Sequence, residues 1–71
     1  MALLDTSLPG VRQLQNWIRA KTAIRIQIND GTKLDGTLDW QDMEFLALRQ
    51  SDEKDPILIQ RLSVSLIRSL N

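Results

Sequence analysis

Apolar residues recur at helical spacing near the start of the chain. Four of them fall on one stripe of a helix, namely Val11, Leu14, Trp17 and Ile18. Ser7 or Thr6 is suited to cap the first turn, and Pro9 fits that turn because its missing N–H costs no hydrogen bond there. The pattern predicts an amphipathic helix over about residues 8–20, with Trp17 packed in the core.

From residue 23 onwards the apolar pattern changes to a period of two, which is typical of strands with one buried face. Alternation and turn residues predict five strands, at about residues 23–29, 32–41, 44–50, 56–62 and 63–69. Asp30-Gly31 is a strong hairpin signal, since the tight turn requires a positive φ. Gly36 lies inside the second strand, where we expect a sharp bend or the close approach of another backbone. The last two strands are either one bent strand or two strands that turn a corner.

A helix followed by five short, strongly bent antiparallel strands indicates a mainly β fold, a small barrel, in one domain of residues 1–71. A chain of this length buries only about 60% of the surface that its unfolded form exposes, so its core is marginal without help. The sequence contains no cysteine and no histidine, which excludes disulfides and the common soft-metal sites. We therefore expect the last strands, apolar on both sides, to be covered by another subunit.

The formal charges balance, with nine basic and nine acidic residues. Residues 1–36 carry a net charge of +2 and residues 37–71 a net charge of −2. A nucleic-acid site must therefore concentrate charge by its geometry, since the chain has no dense basic patch. No apolar run reaches the roughly 18 residues that a membrane span needs, and the N-terminus does not resemble a secretory signal. We expect a cytoplasmic protein without membrane insertion.

The sequence offers no group arranged for catalysis. It lacks histidine, cysteine and a glycine-rich phosphate loop, and Ser63 and Ser65 lie in a strand with no base nearby. Asp39, Asp42 and Glu44 do not form a metal-like cluster, so we predict no catalytic residue, no metal and no cofactor. Asp42 is expected to be buried and to accept hydrogen bonds from the backbone and its neighbours.

The hairpin carries a motif of an apolar residue, Asp-Gly, Lys-Leu and a further glycine. The matching residues are Ile28, Asp30, Gly31, Lys33, Leu34 and Gly36, and Asp42 follows. With the helix before it and two short strands after it, the motif resembles the first Sm motif of the Sm-like fold, and within that fold the Hfq family. The resemblance covers roughly residues 7–68, and the segments "LPGVRQLQNWI" and "DWQD" are similar to the cyanobacterial branch of Hfq. It implies structural roles for Asp30, Gly31, Gly36 and Asp42.

The resemblance also implies an assembly and a ligand. Members of this family form homohexameric rings in which the fourth strand of one subunit pairs with the fifth strand of the next, and the rings bind RNA on two faces and on the rim. A ring repeats each arginine or lysine six times around one axis. A single basic residue therefore becomes a charged circle, which concentrates charge in a chain whose net charge is zero.

On the face that carries the helix, the family binds U-rich RNA. It uses an aromatic residue before the motif's aspartate and a Tyr-Lys-His run between strands four and five. Here Gln41 stands before Asp42, and Gln60, Arg61 and Leu62 stand in place of the run. Base stacking is worth about 1–3 kcal/mol per base, and glutamine and leucine cannot supply it. Arg61 can still hold a phosphate at the pore.

The opposite face binds A-rich RNA in the family, and a tyrosine on the first strand stacks the base. Gln27 stands at the tyrosine position, and the implied site comprises Gln27, Asn29, Gly31, Thr32, Lys33 and Leu34. Glutamine and asparagine can hydrogen-bond an adenine edge, but they provide no stacking surface. On the rim, Arg19 and Lys21 remain of the family's arginine cluster late in the helix.

We therefore predict an RNA-binding ring in post-transcriptional regulation, with RNA affinity below that of the family or moved to other surfaces. The rival prediction is a ring-shaped docking platform for a protein, such as a pilus-related ATPase of a motility machinery, that presents Arg12, Gln15 and Arg19 on one face. Trp40 either anchors a partner or packs against the helix or the next subunit. A monomeric, SH3-like peptide-binding module is the third alternative.

Overall fold

The computed structural model describes residues 4–51 and 53–70. These residues form a helix and five strands: α1 (Pro9–Ala20), β1 (Ile24–Ile28), β2 (Lys33–Gln41), β3 (Phe45–Arg49), β4 (Ile57–Gln60) and β5 (Val64–Ser69). The strands pair antiparallel in the order β4-β3-β2-β1-β5. The mainly β fold with an N-terminal helix and a bent five-stranded sheet is thereby confirmed. A 3₁₀ turn, Arg61–Ser63, separates β4 from β5, so the last two strands turn a corner and β4 ends before the predicted residue 62.

The helix start differs from the prediction in its cap. The N-cap residue is Leu8, which makes no side-chain capping bond, so the prediction that Ser7 or Thr6 caps the helix is wrong. The physical reason is that Ser7 is already bonded, because its N–H and its Oγ donate to the Asp5 carboxylate at 2.9 and 2.6 Å. Pro9 lies in the first helical turn, as predicted.

Strand β2 changes partner in the middle of its length. Its first part pairs with β1, ending with Gly36 opposite Ile24, and its second part pairs with β3, beginning with Thr37 opposite Arg49. A Cβ built on Gly36 would fall well inside van der Waals contact with the Arg49 carbonyl oxygen and 3.1 Å from the carbonyl carbon. The predicted close approach of another backbone at Gly36 is confirmed, and it lets one strand serve both halves of the barrel.

The core lies between the concave side of the sheet and α1. Its buried members are Leu14, Ile24, Ile26, Leu38, Leu46, Leu48 and Ile59. Trp17 and Ile18 pack against this cluster from the helix, which confirms the core position predicted for Trp17. The alternation of apolar residues within each strand places these side chains on the same side of the sheet.

Strands β4 and β5 follow each other in sequence but lie at opposite edges of the sheet. Strand β5 crosses over to pair with β1, and the Asn29 N–H donates to the Ser63 carbonyl at 2.8 Å where the turn meets the end of β1. Within the described residues each edge strand has a partner on one side, so its other side presents backbone groups. Leu58 on β4 and Leu66 on β5 are exposed at these edges.

Candidate functional site

The side chain of Gln41, at the end of β2, joins three parts of the fold. Its Nε2 donates to Gln15 Oε1 at 2.8 Å and to the Val11 carbonyl at 3.3 Å. Its Oε1 accepts a hydrogen bond from Arg61 Nη2 at 2.8 Å. Because both ends of the amide are bonded, Gln41 could read a base edge only by giving up bonds that hold α1 to the sheet. The position that resembles a base-stacking site thus holds a side chain that links α1, β2 and the 3₁₀ turn through hydrogen bonds.

Arg61, the first residue of the 3₁₀ turn, is held against the turn between β2 and β3. Its Nε and Nη2 donate to the Asp42 carbonyl at 3.1 and 2.7 Å, and its backbone N–H donates to the Glu44 carbonyl at 2.8 Å. A guanidinium fixed in this way loses little conformational freedom when it binds an anion. The arrangement is compatible with the phosphate contact predicted for Arg61.

Asp42 organises the same turn. Its Oδ1 accepts hydrogen bonds from the backbone N–H groups of Phe45 and Glu44 at 2.7 and 2.9 Å. These bonds, the one from Phe45 foremost, lower the pKa of the Asp42 carboxyl. The predicted hydrogen bonding is therefore confirmed, whereas the predicted burial is wrong. Asp42 is exposed because the turn that it closes lies at the surface of the chain.

A shallow depression adjoins Arg61 on its other side. It is lined by Met43, Glu44, Phe45, Gln60, Arg61 and Leu62. Gln60 is exposed and lies opposite Phe45 across the β3–β4 pair. Leu62 is 94% exposed. The predicted pore residues Gln41, Asp42, Gln60 and Arg61 are thus brought together around one turn.

The residues predicted for A-rich RNA surround the hairpin between β1 and β2. Gly31 has the expected positive φ, 95°. The Asp30 carboxylate accepts the Thr32 N–H at 2.9 Å, which lowers the pKa of Asp30. Gln27 lies opposite Lys33 in the β1–β2 pair, so an amide and an ammonium group are neighbours beside the turn.

Two members of that predicted set have structural contacts of their own. Asn29 Nδ2 donates to the Leu62 carbonyl at 3.1 Å, and Asn29 Oδ1 accepts the Ser65 hydroxyl at 2.8 Å. Leu34 packs against the core. Asn29 therefore ties the hairpin to the turn before β5, and each end of its amide already has one partner within the chain.

The predicted rim residues lie on one side of α1. Arg12, Gln15 and Arg19 line a shared depression with Thr6 and Ile18. Arg19 Nη2 donates to Asn16 Oδ1, and the Gln15 amide is engaged with Gln41 as described above. Lys21 ends the helix in the left-handed conformation, with a φ of 52°. Two exposed arginines thus lie on the helix, and one exposed lysine lies at its C-terminal end.

Two ion pairs on the outer side of the sheet are absent from the sequence prediction. Arg25 and Asp35 lie directly opposite each other on β1 and β2, with their atoms 2.7 and 3.0 Å apart. This pairing raises the pKa of Arg25 and lowers that of Asp35. Arg49 pairs with Asp39, Nε to Oδ2 at 2.8 Å. The signal available in the sequence was the hairpin register, which places residues 25 and 35 opposite each other.

Two classes of site find no support among the residues that the structure describes. No group of three or more acidic side chains in residues 4–51 and 53–70 could hold a metal ion. No helix in the same residues is long and apolar enough to cross a membrane.

A family model described as Hfq related matches residues 8–69. A crystal structure of an Hfq protein from Anabaena sp. is similar, with 26% identity and a TM-score of 0.77 over 87% of this chain and 97% of that one. A second structure, of "the pleiotropic translational regulator, Hfq", has a TM-score of 0.82 over 93% of this chain and 97% of that one. At 15% identity, it supports the fold alone. A comparison with curated proteins finds no match. Since the model spans nearly the whole chain, this protein belongs to the Hfq-related family.

Proposed function

We propose that this chain is the subunit of a homohexameric ring that binds RNA in the cytoplasm and acts in post-transcriptional regulation. The observation that carries the proposal is the family match over residues 8–69. The enzymatic alternative has no candidate group in the sequence, so the function rests on binding.

The two edges of the sheet support assembly into a ring. Strands β4 and β5 lie at opposite edges, and each carries an exposed leucine, Leu58 or Leu66. An uncovered edge readily pairs with a strand of another chain. Because the two edges differ, pairing β4 of one copy with β5 of the next is a head-to-tail contact, which closes into a ring when the rotation fits.

The distribution of charge supports an RNA site on the half of the chain that contains α1, β1 and the first part of β2. Residues 10–38 carry five basic and two acidic residues, a net charge of +3, whereas residues 39–61 carry three basic and six acidic residues, a net charge of −3. The exposed cations of the first half include Arg12, Arg19 and Lys21. Phosphates bound by these groups release counterions, so the affinity should fall steeply with salt.

The contacts of the two glutamines support a weak contribution from base recognition. Gln27 and Gln41 stand where the family has aromatic residues, and Gln41 is bonded at both ends of its amide. Losing a stacking platform removes about 1–3 kcal/mol per base. We infer that phosphate contacts dominate and that discrimination between A-rich and U-rich RNA is small.

The experiment is a titration of the purified protein with A-rich and U-rich oligonucleotides at two salt concentrations, after its mass has been measured. We expect a particle of six 8.1 kDa chains that binds both oligonucleotides at low salt and weakly at high salt. A monomer would contradict the ring and favour the SH3-like alternative. Absence of binding at low salt would contradict the RNA function.

A charge-matched pair of variants sharpens this test. Lys21→Ala removes an exposed cation beside the proposed RNA surface, whereas Lys54→Ala removes one from the acidic half of the chain. We expect Lys21→Ala to weaken binding and to reduce the salt dependence, and Lys54→Ala to leave both unchanged. Equal effects of the two variants would refute the proposed location of the RNA.

A second candidate function is a docking platform for a protein partner. The hydrogen bonds of Gln41 favour it, because they engage the amide that could otherwise read a base. Arg12, Gln15 and Arg19 line one depression on the helix, and a ring would display that depression six times, which suits an avid contact. Absence of binding to either oligonucleotide at low salt would move this candidate to first place.

A further inference from the structure

Arg68, near the end of β5, lies beside another arginine on the outer side of the sheet. It is exposed and lies directly opposite Arg25 in the β1–β5 pair. Arg25 already has a partner, because the Asp35 carboxylate on β2 accepts two bonds from its guanidinium at 2.7 and 3.0 Å. Among the described residues, no group bonds to the Arg68 guanidinium. Like charges directly opposite each other are unfavourable in a sheet, so Arg68 lacks a counter-charge within its own chain.

The turn before β4 carries an excess of the opposite charge. Residues 52–55 of the sequence contain three acidic residues and one basic residue, a net charge of −2. Glu53 and Asp55 of this turn are exposed, and neither forms an ion pair with another described residue. The arginine that holds the turn, Arg49, is itself paired with Asp39 at 2.8 Å. The turn therefore presents carboxylates that no cation of its own chain binds directly.

The two edge strands that meet in the proposed ring each carry a half-exposed leucine on the outer side. Leu66 lies on the same side of β5 as Arg68, because the two residues alternate with the core-packed residue between them. Leu58 lies on the outer side of β4, since its neighbours Ile57 and Ile59 face the core. The leucines are 45% and 52% exposed in one copy. Directly opposite residues share a face of a sheet, so Leu66 of one copy and Leu58 of the next cover each other when they lie opposite.

With the leucines opposite each other, charge selects the direction in which the two strands run. In an antiparallel contact, Arg68 lies opposite Pro56 of the next copy and beside Asp55, because residues 68 and 56 are each two positions from a leucine, in opposite directions. In a parallel contact, Arg68 lies opposite Gln60 and beside Arg61. The antiparallel contact joins opposite charges, whereas the parallel contact brings two guanidinium groups together. Antiparallel pairing is also slightly more stable per residue.

We propose that Arg68 pairs with the acidic turn at residues 53–55 of the next copy and thereby fixes the antiparallel orientation of β5 against β4. The inference rests on the ring proposed above and adds the charge contact that selects its geometry. Charges at the margin of an apolar contact contribute to specificity and orientation more than to affinity. A subunit with a neutral or basic turn before β4 would therefore be a poorer neighbour for this chain.

The test is a charge swap between copies. Sedimentation over a dilution series measures the assembly of the wild type, of Arg68→Glu, of Asp55→Arg and of the double variant. An equimolar mixture of the two single variants is measured as well. Lys33→Glu is the matched control, because it reverses an exposed cation on β2, which is not an edge strand. Circular dichroism first checks that each variant is folded, and Glu53→Arg replaces Asp55→Arg if the latter is not.

Each single variant places like charges at every contact of its ring. We expect Arg68→Glu and Asp55→Arg each to raise the protein concentration needed for assembly by about fivefold or more, since one exposed ion pair is worth up to about that factor and reversal adds repulsion. The double variant restores opposite charges and should assemble as the wild type does. The mixture should also assemble, because alternating the two variants around a ring of six places opposite charges at every contact. Lys33→Glu should have no effect.

The outcomes separate this inference from the ring itself. A wild type that stays monomeric would refute the ring and the ion pair together. A wild type of six chains with single variants that assemble equally well would refute the ion pair alone. Tighter assembly of Arg68→Glu than of the wild type would show a parallel contact, in which Arg68 lies beside Arg61. Weak assembly of both the double variant and the mixture would show that Arg68 and Asp55 do not face each other across the contact.

Discussion

The close contact at Gly36 leads to a direct test of the barrel corner. A methyl group at this position would collide with the Arg49 carbonyl oxygen, and it would also lie 3.2 Å from Leu48 Cδ1. The obstacle is backbone of the neighbouring strand, which cannot rotate away as a flexible side chain can. Gly36→Ala should therefore push β2 and β3 apart at the point where β2 passes from one partner to the other.

The size of the effect follows from the kind of contact. Adding a methyl group to a well-packed site costs about 1–3 kcal/mol, and a collision with backbone belongs at the upper end of that range. A domain this small has a free energy of unfolding near the lower end of the usual values, about 5 kcal/mol. We expect Gly36→Ala to remove about half of it, and the larger change Gly36→Val to abolish folding.

The assay is urea unfolding followed by circular dichroism at a fixed protein concentration, since the proposed assembly would make stability concentration-dependent. With a slope of about 1 kcal/mol per molar urea, Gly36→Ala should lower the midpoint by about 2–3 M. Gly10→Ala is the control for volume, because a Cβ there meets no atom of the described chain within 4 Å. It should be neutral or stabilising by up to about 1 kcal/mol.

The variant Gly31→Ala measures the cost of backbone strain at a position where the added methyl group meets no other atom. A Cβ at Gly31 also meets no described atom within 4 Å, but the φ of +95° is unfavourable for alanine, at a cost of about 1–2 kcal/mol. We expect Gly10→Ala to be the most stable of the three variants, Gly31→Ala to be intermediate and Gly36→Ala to be the least stable. A midpoint for Gly36→Ala equal to that of the wild type would refute the close approach at the corner.

Three further predictions concern acid stability, assembly and RNA. Asp42 has a lowered pKa because it accepts the Phe45 and Glu44 N–H bonds, so its contribution to stability is present above the unfolded-state pKa of about 3.9 and is lost as the pH falls through the lowered value. When the pH is lowered below about 4, the melting temperature of Asp42→Asn should fall by less than that of the wild type. An equal fall in both proteins would contradict this role of Asp42. Leu66→Lys places a charge on the β5 edge and should give monomers in sedimentation, whereas an intact ring would place the contact elsewhere. Arg61 belongs to the acidic half of the sequence but adjoins α1 through its bond to Gln41, so Arg61→Ala should weaken oligonucleotide binding and flatten its salt dependence. An unchanged slope would exclude Arg61 as a phosphate contact.

The choice of Leu66 for the assembly test depends on the structure. From the apolar run of the fourth strand alone, Ile59→Lys is an equally reasonable way to break contacts between subunits. Ile59 is buried in the core of its own chain, so a lysine there would unfold the subunit and say nothing about assembly. Leu66 is exposed at the sheet edge and tests the contact without entering the core.

Local pattern accounts for most of the fold. The stripe of apolar residues in α1 and the alternation along each strand reflect periods of 3.6 and 2, which neighbouring residues impose on each other. The Asp30-Gly31 hairpin could be placed for the same reason, because its geometry depends on one positive φ at Gly31. The helix cap was misassigned since Ser7 had a competing acceptor in Asp5, and propensity alone does not rank two local acceptors.

The sequence predicted that certain residues lie near one another but not the hydrogen bonds that they make, and their role in RNA binding stays a prediction. The resemblance to the Sm motif identified Gln41, Asp42 and Arg61, and the structure brings them together around one turn. The Gln41 amide is bonded to Gln15 and Arg61, which are 26 and 20 residues away along the chain. Bonds over such separations depend on how α1 and the 3₁₀ turn pack, which no local pattern reports.

By itself, therefore, the sequence determined the helix, the strands, the hairpin and the segregation of charge between residues 10–38 and 39–61. Those features follow from residue order and from the properties of each side chain. Only the tertiary structure decided that β4 and β5 lie at opposite edges, that Asp42 is exposed and that Asn29 and Gln41 are engaged within the chain. It also decided that Trp40 and Leu58 share an outer face, because strand register joins residues that are distant in sequence.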